Sequence, residues 1–142
     1  MCKKYLTLLV MIPLIVLSCS MRPSTFVQTM EPTWASIEKR EEITNDEAWT
    51  TMVDTLVRNF DIEVMSKEDG YLRTGWLYSW TGKVTEFYKV RVTIKFSRYY
   101  EVCEIKSEAM WFDGATWVQG TDTSLLSTIK TDIMGKIGRV TR

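Results

Sequence analysis

Residues 86–111 read EFYKVRVTIKFSRYYEVCEIKSEAMW, and their alternation decides the fold. In the first half every second residue is large and apolar: Tyr88, Val90, Val92, Ile94 and Phe96. The residues between them are polar, which is typical of a strand with one face on a core and the other in water. After a short polar connection, a second run carries smaller or apolar residues on one parity: Cys103, Ile105, Ser107 and Ala109. The two runs predict an antiparallel hairpin.

Two amphipathic helices are predicted, one before and one after this hairpin. Thr44 and Glu47 have the spacing of a capping box, and apolar residues then recur at three- and four-residue steps: Trp49, Met52, Val53, Leu56, Val57 and Phe60. We expect this helix over residues 46–60. Thr121 or Asp122 can cap the second helix, and Gly138 is a suitable stop. Its apolar stripe comprises Leu125, Leu126, Ile129, Ile133 and Ile137.

Further strands complete the predicted sheet. We expect a first strand within residues 34–43, a second beginning at Ile62, and a long one over residues 71–80 after the turn Asp69-Gly70. A short extended piece follows at Trp117. Successive strands joined by short turns favour an antiparallel sheet, and two amphipathic helices need a face to cover. The sequence therefore predicts an α+β fold, with four to five antiparallel strands and two helices packed on one face.

Composition argues against several classes of function. The chain has 18 basic and 18 acidic residues and no histidine, so it offers no basic surface for nucleic acid and lacks the commonest general base and metal ligand. Carboxylates such as Glu108, Asp113 and Asp122 show neither metal-ligand spacing nor acid/base pairing. We expect a non-enzymatic protein with no cofactor, no metal and no nucleic-acid partner.

The first residues predict an export signal with a lipid anchor. Lys3 and Lys4 precede an apolar run over residues 5–17, which is too short for a membrane-spanning helix and typical of a signal peptide. The following Ser18-Cys19-Ser20 resembles the site at which bacterial lipoproteins are cut and acylated. This resemblance implies a signal peptide over residues 1–18, lipid on Cys19 and an outer-membrane location. The alternative is an ordinary secreted protein cut elsewhere.

The mature chain is predicted to contain one domain. Residues 19–33 carry Pro23, Pro32 and little apolar periodicity, so we expect a lipidated cysteine followed by a flexible tether. The domain itself is expected over residues 34–142. Once Cys19 is acylated, Cys103 is the only thiol left, and its place on the apolar face of a strand is typical of a small buried hydrophobe.

Aromatic residues at predicted strand ends form the candidate binding surface: Trp76, Tyr78, Trp80, Trp111 and Trp117. Such rings can bind a glycan, a peptide or an acyl chain in a cleft between the long helix and the sheet. The alternative is that they fill the core where a helix crosses a curved sheet.

Charged residues on the hairpin are the second candidate surface. Lys89, Arg91 and Lys95 on the first strand are predicted to face a mixed set on the second strand, which comprises Glu104, Lys106 and Glu108. Opposite charges on neighbouring strands stabilise a solvent-exposed sheet face. The same ladder is also suited to docking another envelope protein.

The order of these features resembles the helix-grip domains of BamC, a lipoprotein accessory of the outer-membrane β-barrel assembly machine. The likeness covers residues 37–137 and lies in the capped helix with Trp49, then in three short motifs: Phe60-Asp61-Ile62, Asp69-Gly70-Tyr71-Leu72-Arg73-Thr74 and Tyr88-Lys89-Val90-Arg91-Val92. This likeness implies two features: helices that pack against an antiparallel sheet, and a location at the outer membrane. The chain also resembles single-domain envelope lipoproteins that end in a run like Thr131 to Gly135.

Two functions are therefore open. The first is a non-catalytic, lipid-anchored envelope protein that acts as a protein-interaction or assembly-accessory domain. The second is a ligand-binding module for a glycan, a peptide or a lipid. The tether, the helix-grip pattern and the missing catalytic groups favour the first, and the aromatic cluster favours the second.

Overall fold

The central hairpin forms as its alternation predicts in the computed structural model, which describes residues 21–80 and 83–139. The helices are α1 (Asn45–Val57) and α2 (Thr123–Ile137). The strands are β1 (Phe26–Gln28), β2 (Ala35–Glu38), β3 (Ile62–Ser66), β4 (Tyr71–Thr74), β5 (Ser79–Trp80), β6 (Lys83–Val84), β7 (Tyr88–Phe96), β8 (Val102–Phe112) and β9 (Trp117–Asp122). The predicted α+β class is confirmed.

The main sheet has seven antiparallel strands rather than the four to five expected from the sequence. Its order is β1-β9-β8-β7-β4-β3, and β2 pairs with the first part of β8 on the same side as β9. Strand β8 is eleven residues long and therefore has room for both partners. The short strands β5 and β6 form a separate hairpin.

Both helices pack on one face of this sheet. The inward residues of β7 lie in one buried cluster with the apolar stripes of α1 and α2, and its central members are fully buried: Met52, Leu56, Ile94, Ile105 and Ile133. The predicted capping box is present at the start of α1. The Glu47 amide donates to Thr44 Oγ1, and the Thr44 amide donates to Glu47 Oε2. Gly138 ends α2 as expected. Burial of this apolar area is the main stabilising term.

The domain begins earlier than the predicted boundary at residue 34. Residues 26–28, which the sequence assigned to a flexible tether, form β1 and pair with β9. Phe26 is 2% exposed and packs edge-on against Tyr88 at 6.1 Å between ring centroids. The segment has too few apolar residues to show strand periodicity, so its burial depends on a partner strand that is distant in sequence.

The long strand predicted over residues 71–80 is interrupted. Leu72 pairs with Ile94, and the same register would place Trp76 opposite Val90, but Leu77 occupies that position. One extra residue is therefore inserted near Gly75, as in a β-bulge. The insertion reverses the parity, so that Trp76 and Tyr78 do not share a face with Leu72 and Thr74. A glycine inside a strand pattern is the sequence signal for such a break.

Cys103 is fully buried on β8, as its place in the apolar alternation predicts. Burial, with a smaller effect of the nearby Glu104 charge, raises the pKa of the Cys103 thiol to about 12. A thiol that stays protonated and inaccessible is a poor nucleophile.

A buried carboxylate joins three parts of the fold. Asp122 is fully buried and caps α2 by accepting from the Leu125 amide at 2.8 Å. Its Oδ2 accepts from the Tyr88 hydroxyl at 2.6 Å and from the Thr25 hydroxyl at 3.0 Å. Burial raises the pKa of Asp122 even though these hydrogen bonds favour its charged form. Burial likewise raises the pKa of Tyr88, with Asp122 adding to the effect.

We predict that Tyr88 and Asp122 are energetically coupled. Tyr88→Phe should reduce the free energy of unfolding by about 1.5–3 kcal/mol, because it removes a hydrogen bond to a carboxylate. Asp122→Ala should cost more, since it also removes the helix cap. The double variant should lose less than the sum of the two single losses. Urea unfolding of the four proteins measures the coupling, and strict additivity would contradict it.

We also predict a pH-dependent difference between the wild-type protein and Asp122→Asn, which keeps a carbonyl oxygen for the cap. Because the pKa of Asp122 is higher in the folded state than its ordinary 3.8, its contribution to stability is present below 3.8 and is lost as pH rises through the folded value. The asparagine variant should therefore gain stability relative to wild type as pH rises above 3.8. Unfolding curves over a pH series test this, and a constant difference would refute it.

Candidate functional site

The sheet face opposite the two helices, here the open face, carries the candidate site. The β7–β8 register pairs Lys89 with Met110, Arg91 with Glu108, and Lys95 with Glu104 on this face. Residues Trp117, Gln119 and Thr121 of β9 follow on the same side. The alternation that buries one set of side chains therefore presents the other set to solvent.

Three aromatic rings surround the ammonium group of Lys89. Its Nζ lies 4.5 Å from the ring centroid of Trp117, 5.0 Å from that of Trp76 and 5.4 Å from that of Tyr78. The Tyr78 hydroxyl is 3.5 Å from the same nitrogen. These distances fit cation–π attraction. Lys89 makes no ion pair within the described part of the chain, so the aromatic rings are the main partners of its charge.

The rings continue beyond Lys89 to the end of the open face. Trp117 contacts Phe112 at 5.6 Å between centroids, and Phe112 stacks on Phe87 at 6.2 Å. Phe87 is 49% exposed and Tyr78 is 44% exposed. We call this region the aromatic end, and it comprises Trp76, Tyr78, Phe87, Lys89, Phe112 and Trp117.

An ion-pair network separates the aromatic end from the rest of the face. Arg91 donates to both Glu108 oxygens, at 3.0 and 3.1 Å, and Thr93 donates to Oε2 at 3.3 Å. Lys106 lies 3.8 Å from the same carboxylate. Burial alone would raise the pKa of Glu108, but the bonds and charge of Arg91 outweigh it, so the pKa lies below its ordinary value. Of the cross-strand charge pairs expected from the sequence, Arg91–Glu108 forms an ion pair. Lys89 is instead opposite Met110, and Lys95 is opposite Glu104 without an ion pair in the described ranges.

The other half of the open face is more polar, and we call it the charged end. Tyr71 and Lys95 are register partners here, and Lys95 is itself opposite Glu104. Lys106 lies 4.9 Å from the ring centroid of Trp34. The charged end comprises Trp34, Tyr71, Arg73, Lys95, Glu104 and Lys106.

The structure brings together three of the five predicted aromatic site residues. Trp76, Tyr78 and Trp117 meet around Lys89, whereas Trp111 lies on the helix-covered face and contacts Phe26 at 6.2 Å. The side chain of Trp80 lies outside the described residues, and so does Cys19. Sequence reasoning missed Phe87 and Phe112, although both belong to the alternating pattern of the central hairpin.

The aromatic rings do not lie in a cleft between helix and sheet, where the sequence hypothesis put them. That interface is filled by side chains with no exposed surface, including Ala48, Met52, Leu56 and Ile133. The reason is the extra residue near Gly75, which turns Trp76 and Tyr78 to the open face.

The described residues, 21–80 and 83–139, hold neither a metal site nor a membrane-spanning helix. No group of three or more His, Cys, Asp or Glu side chains is placed there to hold a metal ion. None of the helices in these ranges has the length and apolar character required to cross a membrane. Comparison of the chain with protein-family models and with curated proteins found no match.

We predict that the Arg91–Glu108 pair contributes to stability, because the two side chains are only 20% and 13% exposed. Glu108→Ala should lower the free energy of unfolding by about 1–3 kcal/mol, since it leaves a largely buried guanidinium without its acceptors. Lys67→Ala is the matched control, because it removes an ion pair with 56% and 82% exposure and should cost less than about 1 kcal/mol. Equal losses in thermal unfolding would contradict this ranking.

Proposed function

We propose that this chain is a non-catalytic domain of the cell envelope, held at the outer membrane by lipid on Cys19, that binds another protein through the charged end of its open face. The observation that carries this proposal is the uncovered sheet face. Seven strands are covered by helices on one side only, and the other side presents aromatic and charged side chains in a fixed register.

The charged end has the chemistry of a protein-binding surface. Aromatic residues and arginine are enriched in the residues that dominate binding energy at interfaces. Trp34 is 37% exposed and is stacked by Lys106, so it is held in place before any partner arrives. Lys95 is exposed and forms no ion pair within the described ranges, and it can therefore pair with an acidic group of a partner.

The likeness to helix-grip domains supports the same assignment. Two helices on one face of an antiparallel sheet are what the likeness to BamC implies, and the lipobox-like sequence at Cys19 supports an outer-membrane location. We propose an accessory role in envelope assembly on these grounds, with the partner an envelope protein.

A second candidate function is supported by the geometry around Lys89. Three rings and an ammonium group in one place can bind a glycan, a peptide or a lipid headgroup that offers both an apolar face and an acceptor. Titration of tryptophan fluorescence with a panel of such ligands tests it. A response that is absent from Trp117→Leu would support ligand binding, and no response across the panel would refute it.

We predict that Cys19→Ala releases the protein from membranes without unfolding it. The change removes the acylated sulfur, and lipid anchoring depends on the buried methylenes of the attached chains. Carbonate-washed membranes should lose the variant, while its circular dichroism should match the wild type. Continued sedimentation with washed membranes would contradict the anchor.

We predict that Lys95→Glu reduces recovery of the partner in cross-linking and pull-down from detergent-solubilised membranes at least several-fold, because it reverses the charge at the charged end. Arg58→Glu is the matched control, since Arg58 is also exposed but lies at the end of α1 on the helix side. Equal recovery with both variants would contradict docking at this surface, and recovery of the lipoprotein alone would contradict the function.

A further inference from the structure

The two central strands carry opposite charges at the same levels of the open face. Arg91 of β7 is level with Glu108 of β8, and Lys95 is level with Glu104. The first pair is joined by hydrogen bonds of 3.0 and 3.1 Å. The second pair makes no ion pair in the described part of the chain. At both levels the positive charge thus lies on the β7 side of the β7–β8 boundary, and the negative charge lies on the β8 side.

The same division holds for the charges that are left without an internal partner. Lys106 is the basic residue on the acidic side, and it already lies 3.8 Å from Glu108. On β2, Glu38 is exposed and is register partner to Val102, whose parity is that of the open face. Among the open-face charges of β2, β7 and β8, those without an ion pair in the described ranges are two basic and two acidic side chains: Lys89, Lys95, Glu38 and Glu104.

This pattern makes the open face complementary to itself. Consider a twofold axis between two copies, parallel to the strands and above the β7–β8 boundary. It places β7 of one copy over β8 of the other and keeps every residue at its own level. Lys95 then faces Glu104 of the second copy, and Glu104 faces Lys95 of the second copy. Arg91 and Glu108 exchange in the same way, which is the self-complementarity that a twofold interface requires.

The open face also has the area that a stable pair of copies needs. Its main path has six strands about 4.8 Å apart, and the nine residues of β7 rise about 3.4 Å each, so the face measures roughly 24 by 30 Å. That area, roughly 700 Å², is close to the ~800 Å² that each partner contributes to a standard interface. The same axis sets aromatic end against aromatic end and so covers the half-exposed rings of Tyr78 and Phe87.

We propose that two copies of this chain pair through their open faces around this axis, as two aligned sheets packed face to face. The second copy then covers the charged end, where the envelope partner proposed above docks, so the two compete for one surface. That competition rests on the proposed function, whereas the pairing itself does not. Both copies of β1 lie at the same level along the axis, so two chains lipidated at Cys19 can share one membrane.

Charge reversal at one level tests the pairing. Lys95→Glu sets like charges against each other at both symmetry-related contacts, and Glu104→Lys does the same. Two differently tagged copies of the full chain are co-precipitated from detergent-solubilised membranes. Each single variant should recover its own second copy at least about tenfold less than the wild type does, because like charges at an interface are strongly unfavourable. Arg58→Glu, exposed at the end of α1 on the helix side, is the matched control and should leave recovery unchanged.

A mixture of the two single variants gives the decisive measurement. Each variant then meets the opposite charge at both positions, so Lys95→Glu should recover Glu104→Lys at close to the wild-type level. No recovery from the mixture, with both variants showing the wild-type circular dichroism spectrum, would overturn the twofold pairing. If the wild-type chain recovers a different protein but not its second copy, partner docking stands and the pairing is wrong. If it recovers only its second copy, the pairing stands and the proposed function is wrong.

Discussion

The fold depends on one buried carboxylate. Asp122 ends β9, caps α2, accepts from Tyr88 in the central hairpin and accepts from Thr25 before β1. A carboxylate taken out of water is costly unless its oxygens are satisfied, and here each oxygen has a donor from a different part of the chain. Hydrogen bonds to this one residue therefore couple the first strand, the hairpin and the last helix. This gives cooperativity to a domain whose terminal strand is three residues long.

The same carboxylate sets where the chain enters the domain. Because Thr25 is held beside Asp122, the segment between the proposed lipid site and the folded body is six residues instead of the fifteen expected from composition. A long tether would let the domain sample any orientation, whereas a short one restricts which surface can approach the bilayer. The position of β1 thus sets the length of the segment that joins the proposed lipid to the folded body.

The open face owes its character to a one-residue irregularity. Continued regular pairing after Thr74 would have sent Trp76 and Tyr78 toward the helices, where the core is already filled. The insertion near Gly75 turns both rings outward onto Lys89. Bulges re-aim side chains in this way and are common near functional surfaces. The division into an aromatic end and a charged end follows from this change and from the ion pairs around Glu108 between them.

The sequence by itself determined the elements whose signals are local. The period of two in β7, the capping box of α1 and the apolar stripe of α2 each depend on neighbouring residues, so the α+β class, both helices and the central hairpin could be predicted. Tertiary structure alone decided the incorporation of Phe26 into the sheet and the outward turn of Trp76 and Tyr78. Both outcomes depend on which distant strand supplies the hydrogen-bond partners and on how much room its side chains leave. The local periodicity of a segment does not identify a partner strand that is distant in sequence.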